Sequence, residues 1–227
     1  MSAPAASGDY PYGIGKPAFT RIPALPEPSH IGPRLRAQRE QLGLSLREIA
    51  RRVGVSASLI SQVERDKVNP SVATLYALGR ELGLTMGDLF PTEDPPPSAG
   101  ATRSAAAAGH LVVPEERAVI NLHSGVRWER LTPVSDPDIE FLRVIYIVGS
   151  ESCPEDSLVR HGGKEYAYVI SGRLGVRVGF DEYDLGPGYS ITFDASSPHR
   201  LWAIGDEPAE AIWVVVGRQS DNRVTPT

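Results

Sequence analysis

Residues 44–84 read LSLREIARRVGVSASLISQVERDKVNPSVATLYALGRELGL, and the punctuation of this stretch decides the fold of its region. Ser45, Ser56 and Ser71 each stand just before an apolar-periodic run, where a hydroxyl can accept one of the orphan N–H groups of a helix start. Glu48, three residues after Ser45, is placed to complete a capping box. Gly54 and Gly83 follow the last periodic residues as stops. Working outward, Ile31–Leu42 reads as a helix ended by Gly43, and Thr85 opens a short turn ending at Phe90-Pro91. The spacing therefore predicts five short helices over residues 31–90, the third running Ala57–Arg65. Leu35, Leu42, Leu46, Ile49, Ala50, Val53, Val55, Leu59, Ile60, Val63, Leu75, Leu78 and Leu82 would supply the core.

The flanks read differently. Residues 1–30 hold Pro4, Pro11, Pro17, Pro23, Pro26 and Pro28, a density that blocks helix and ladder alike and predicts a disordered arm. Residues 91–109, PTEDPPPSAGATRSAAAAG, have the composition of a linker. Over 110–218 the pattern switches to short β-branched and aromatic runs: Val126–Leu131, Ile139–Val148, Glu165–Ser171, Arg173–Val178, Tyr183–Leu185, Ser190–Phe193, Arg200–Ala203 and Ala211–Val216. Turns such as Ser171-Gly172 and Gly186-Pro187-Gly188 separate them. Many short strands without helices imply a closed barrel or sandwich, with 219–227 left as a tail. The fold class is multidomain α + β.

The net charge of −5 conceals an asymmetry. Residues 31–90 carry nine Arg or Lys against six Asp or Glu, a balance of +3, whereas 91–227 carry twelve against twenty, a balance of −8. A basic module joined to an acidic one is expected where only the first meets phosphate. No apolar run approaches the roughly 20 residues that span a bilayer, so no membrane partner is expected. The start lacks a basic segment followed by an apolar one, so no signal peptide is expected. A single cysteine, Cys153, cannot close an internal disulfide and fits the cytoplasm, with a small packed residue as its plain role.

With its Ala50, Gly54, Ile60, Glu64 and Pro70 pattern, the helical stretch resembles the phage-repressor-like (XRE) family of helix-turn-helix transcription regulators throughout residues 31–90. Ala50 is small where two helices cross, and Gly54 supplies the tight turn between them. The resemblance implies that the helix starting after Ser56 lies in the major groove of a double-stranded operator. Ala57, Ser58, Ser61 and Gln62 would then face base edges, and Arg65, Lys67, Asn69 and Arg47 would hold phosphates. It also implies that Arg39 and Glu64 form a structural ion pair between the first and third helices.

A second resemblance, to the cupin family, covers about residues 110–218 and makes that region a jelly-roll β-barrel. Its motifs stand as His161-Gly-Gly-Lys-Glu165 with Gly172, and Leu185-Gly-Pro-Gly188 followed by Pro198-His199. Two imidazoles and a carboxylate from His161, Glu165 and His199 at one barrel mouth suit Fe(II), Mn(II), Zn(II) or Ni(II). Alternatively, a metal-free cupin would use them to hydrogen-bond an organic ligand. The fuller four-ligand pattern is broken at Val159 and Ala203. Arg143, Tyr146, Arg160, Trp128 and Trp202 are further candidates for ligand contact. Alternation puts Tyr166 and Tyr168 on the face opposite Glu165, as packing or dimer-interface residues.

Together these imply a homodimeric regulator, a repressor in its simplest form, whose cupin domain senses a small-molecule effector. The competing class is a mononuclear iron oxygenase. The fosfomycin epoxidase also joins a helix-turn-helix-like domain to a cupin with a His-x-x-x-Glu…His set. The lysine which that enzyme supplies from its helical domain is replaced here by the turn Gly43-Leu44.

Overall fold

The structure is a computed structural model that describes residues 30–90 and 110–217. The expected arm (apart from His30), the linker and the tail lie outside the described residues. Five helices form the first unit: α1 (Gly32–Gln41), α2 (Leu46–Val53), α3 (Ala57–Val63), α4 (Val72–Leu82) and α5 (Met86–Leu89). The Ser45, Ser56 and Ser71 hydroxyls accept from the backbone N–H of Glu48, Leu59 and Thr74, each at 3.1 Å. Gly54 and Gly83 cap α2 and α4 in left-handed conformation at φ 80° and 67°, which glycine adopts without strain.

Three expectations change here. The capping box closes at Thr85 and Asp88 instead of Ser45, because Arg51 and Arg52 draw the Glu48 carboxylate away at 2.8 and 2.9 Å. Helix α3 ends at Val63, two residues short of Arg65. Leu42 is 49% exposed: α1 ends just before it, and at the following corner Leu44 is the residue that packs on the core. The N-terminus of α1 is satisfied from a distance, as Gly32 N–H donates to the Asp66 carboxylate at 2.8 Å. Any side chain at Gly32 would collide with the Val63 carbonyl.

Nine strands form the second unit: β1 (Val119–Asn121), β2 (Val126–Arg130), β3 (Ile139–Tyr146), β4 (Lys164–Ser171), β5 (Arg173–Val178), β6 (Asp181–Leu185), β7 (Ser190–Asp194), β8 (His199–Ile204) and β9 (Ala209–Val216). They make two antiparallel sheets, β1-β2-β3-β9-β4-β7 and β6-β5-β8, the cupin arrangement expected. Strand β1 was not foreseen, since three residues are too few to show alternation. The alternation in β4 does hold: Glu165, Ala167 and Val169 are buried, and Tyr166 and Tyr168 are 43% and 52% exposed on the outer face. Bridges Glu151↔Trp202 and Val159↔His199 tie the 151–159 segment to β8.

The two units pack directly on each other. His123 N–H donates to the Pro70 carbonyl at 2.9 Å, and the Arg130 guanidinium lies 5.6 Å from the Phe90 ring centroid. Tyr76 of α4 sits 5.6 Å from the Trp128 ring and 5.0 Å from the His161 ring. Helix α4 therefore roofs the barrel mouth.

Candidate DNA-reading face and metal centre

Helix α3 buries Ile60 and Val63 and turns a polar side outward. Ser58 and Arg65 are exposed, Ala57, Ser61 and Gln62 are half-buried, and Arg47 and Lys67 are exposed nearby, with Asn69 half-buried. Gln62 Nε2 donates to Ser58 Oγ at 3.2 Å, which holds two of the expected base-facing residues together. The Arg65 guanidinium donates back to the Ser61 carbonyl at 2.9 Å.

Behind this face the Arg39 guanidinium donates Nε–H and Nη2–H to the two Glu64 oxygens at 2.6 and 2.9 Å, and Nη1–H to the Leu44 carbonyl at 2.7 Å. The pair is buried, with side-chain exposures of 9% and 6%. The hydrogen bond to Glu64 outweighs burial and raises the Arg39 pKa. Arg39 and Glu64 thus tie α1 to the end of α3, as expected.

At the barrel mouth, Glu165 comes from β4, His161 from the turn before it and His199 from the start of β8. One ligand atom from each lies within 4.8 Å of the others. His161 Nε2 is 2.7 Å and His199 Nε2 is 3.7 Å from Glu165 Oε1. Each Nδ1 instead meets a backbone carbonyl at 2.9 Å, Gly162 for His161 and Ser197 for His199. When both Nδ1 atoms donate to those carbonyls, the neutral rings present their Nε2 lone pairs to the carboxylate. That is the orientation second-shell carbonyls impose on metal-binding imidazoles. Two such acceptors 2.7 Å apart need a cation between them, a proton or a metal ion. The residues present therefore fit a divalent ion held by His161, Glu165 and His199.

Sequence reasoning missed two residues here. Trp213 Nε1 donates to Glu165 Oε2 at 3.1 Å. It faces inward on β9 opposite Ala167, so the alternation of β9 could have revealed it. Tyr76 comes from the other unit, and no local signal pointed to it. Of the expected ligand contacts, Trp128 and Tyr146 line the barrel interior. Burial, with Tyr76 and Glu165 nearby, pushes the Tyr146 phenol well above its ordinary pKa. Arg143 is instead engaged by Glu210 at 2.6 Å and Glu129 at 3.0 Å. Trp202 points outward from β8, lying against Gly175 and under Arg200. Cys153 is buried beside the His199 carbonyl, and burial pushes its thiol up, which fits a packing role.

Comparison with known proteins matches each of the two units to a family. The helix-turn-helix family matches residues 35–89, and the cupin domain family matches 143–215. The transcriptional regulator PuuR of Escherichia coli K12 is 26% identical over 170 residues, 75% of this chain and 85% of its own length. An uncharacterised helix-turn-helix-type regulator of Sinorhizobium fredii, y4dJ, is 36% identical over 67 residues, 29% of this chain and 87% of its own. The chain belongs to the helix-turn-helix transcriptional regulators. Within that family it carries a C-terminal cupin domain. A crystal structure of a family member from Vibrio cholerae shares the fold, with a TM-score of 0.57, 23% identity, and coverage of 84% of this chain and 96% of that one. No helix among the described residues is long and apolar enough to cross a membrane.

Proposed function

We propose that this regulator binds a palindromic duplex operator as a homodimer in the cytoplasm, and that the state of its cupin domain sets its DNA affinity. The observation that carries this is the polar side of α3, built from Ser58, Ser61 and Gln62 and anchored from behind by the buried Arg39–Glu64 pair. Gln62 reads a base, the Ala57 methyl meets thymine, the two serines serve neighbouring bases, and Arg47, Arg65, Lys67 and Asn69 set register on phosphates. The outer face of the six-stranded sheet joins Phe141, Val214 and Tyr166 in one row, with Phe141 and Tyr166 exposed. This is the surface we assign to the dimer.

His161, Glu165 and His199 hold one divalent ion. A bound dimer excludes polymerase, so repression is the direct output. The test is selection of binding sites from random duplexes with the purified chain, followed by a gel-shift titration. Recovery of a symmetric site bound by two protomers is expected. Enrichment of no sequence would remove the reading. Should the ion be redox-active iron turning over an organic substrate, substrate-dependent oxygen uptake by the iron-loaded protein would favour the oxygenase class instead.

A further inference from the structure

We infer that the effector binds in the groove between the helical unit and the barrel, and that it is a small zwitterion of the amino-acid type. This rests on the regulator reading above and names the site and ligand class that it leaves open.

Volume decides where a metabolite fits. The barrel interior beside Glu165 and His199, roofed by Val72 and Tyr76, encloses about 30 Å³. A single water needs roughly 10–15 Å³, so the interior accepts an ion with a water or two and no metabolite. Outside it, across Tyr76, Val159 and Val215, lies a groove of about 220 Å³. One wall is α4 and α5, and the other is the 136–140 and 157–161 segments of the barrel.

Charge decides what fits. Arg80 and Arg160 line this groove together with Asp136, Asp138 and Glu140. One oxygen of Asp136 is already taken by the N–H groups of Asp138 and Ile139 at 2.8 and 3.1 Å. Among the described residues the Arg160 guanidinium and the Asp138 carboxylate make no ion pair or hydrogen bond, and Arg80 reaches only Glu81, at 3.5 Å. Opposite charges line one cavity without neutralising each other. A ligand with one carboxylate and one ammonium satisfies both, whereas a singly charged ligand satisfies one and leaves the other beside its apolar part.

Position supplies the consequence. The groove exists only while α4 lies on the barrel, so an occupant favours that docked arrangement over any other, and a preference between two states is what shifts a population. Helix α4 starts at Val72, directly after the loop that follows α3, so docking it positions the recognition helix.

The experiment is calorimetric titration of the metal-loaded full chain with each proteinogenic amino acid and γ-aminobutyrate, with isobutyrate and isobutylamine as single-charge probes. At least one zwitterion should bind, and should change operator affinity in a gel shift. Asp138→Asn and Arg160→Met, both at exposed positions, should each weaken that binding about tenfold, the scale of one lost charged hydrogen bond. Both variants should keep the parent's metal content and circular dichroism. Binding of no zwitterion, equal binding of isobutylamine or isobutyrate alone, or unchanged affinity in both variants overturns the inference. Operator recognition without zwitterion binding sinks this proposal and spares the regulator reading. Zwitterion binding without any DNA recognition sinks the regulator reading and with it the effector role, leaving only the ligand site.

Discussion

Glu64→Ala removes the carboxylate that accepts two charge-assisted bonds from Arg39 at 2.6 and 2.9 Å. The guanidinium keeps the Leu44 carbonyl at 2.7 Å and Glu40 at 3.5 Å, but with 9% side-chain exposure it regains little water. Breaking a buried pair from one side typically costs about 3–5 kcal/mol, and the surviving contacts place this case near about 3 kcal/mol. Against a typical total of about 5–15 kcal/mol, that is a large share. Urea unfolding followed by far-ultraviolet circular dichroism would read it as a lower midpoint at unchanged slope. The double variant Arg39→Met/Glu64→Leu, which buries no unpaired charge, should recover most of the loss, and a double-mutant cycle isolates the coupling. If Glu64→Ala unfolds like the parent and yet fails to bind the operator, Glu64 acts on DNA and the structural assignment is wrong.

Gln62→Ala should cost about 1–3 kcal/mol on the operator and little on random duplex; equal losses on both would reassign Gln62 to positioning. His161→Ala and His199→Ala should each abolish stoichiometric metal in protein purified without chelators or affinity-tag metal, and retention of metal by both would place the ion elsewhere. Burial works to raise the Glu129 pKa, but Arg117, Arg143 and Arg127 more than offset it and hold the carboxyl below its usual value. Its stabilisation is therefore present above the unfolded value of about 4.3 and is lost as pH falls through the folded one. Glu129→Gln should make the acid limb of stability against pH shallower, and an unchanged limb would show the cluster contributes nothing there. Tyr76→Ala should leave operator binding of the metal-free protein intact while reducing the effect of metal on it; full retention of that effect would separate α4 from the metal centre.

Legibility followed the range of the signal. Ser45, Ser56, Ser71, Gly54 and Gly83 announced helix ends because capping is a contact over three or four residues. The alternation of β4 placed Glu165 inward and Tyr166 outward because a strand's period is two. The cluster of His161, Glu165 and His199 was legible because the resemblance to the two cupin motifs named all three, and the structure brings them together. The failures were competitions between partners: Glu48 had both the backbone of Ser45 and two arginines within reach, and Arg143 had two glutamates on neighbouring strands. No periodicity records which partner wins. The 34-residue reach of Asp66 to Gly32 and the contact of Tyr76 with His161 are longer still, and only the fold reveals them.

That last contact changes how the two domains should be understood. Read as a sequence, the chain is a DNA reader and a sensor joined by a linker. In the structure, α4 presents one tyrosine simultaneously to Trp128 and to the His161 imidazole, while Pro70, just upstream of α4, is bonded to His123 of the barrel. An ion held by His161, Glu165 and His199 would fix the His161 ring, and that ring is one of the two on which Tyr76 rests. Because packed interiors do not deform continuously, a different His161 position must either be accommodated by Tyr76 or release α4 from the barrel. Coupling of about 1–3 kcal/mol, the usual allosteric range, would change operator affinity by roughly 5–150-fold. The stacking area of one tyrosine and one backbone hydrogen bond is of that order, so the observed contacts suffice and the tether need carry none of it.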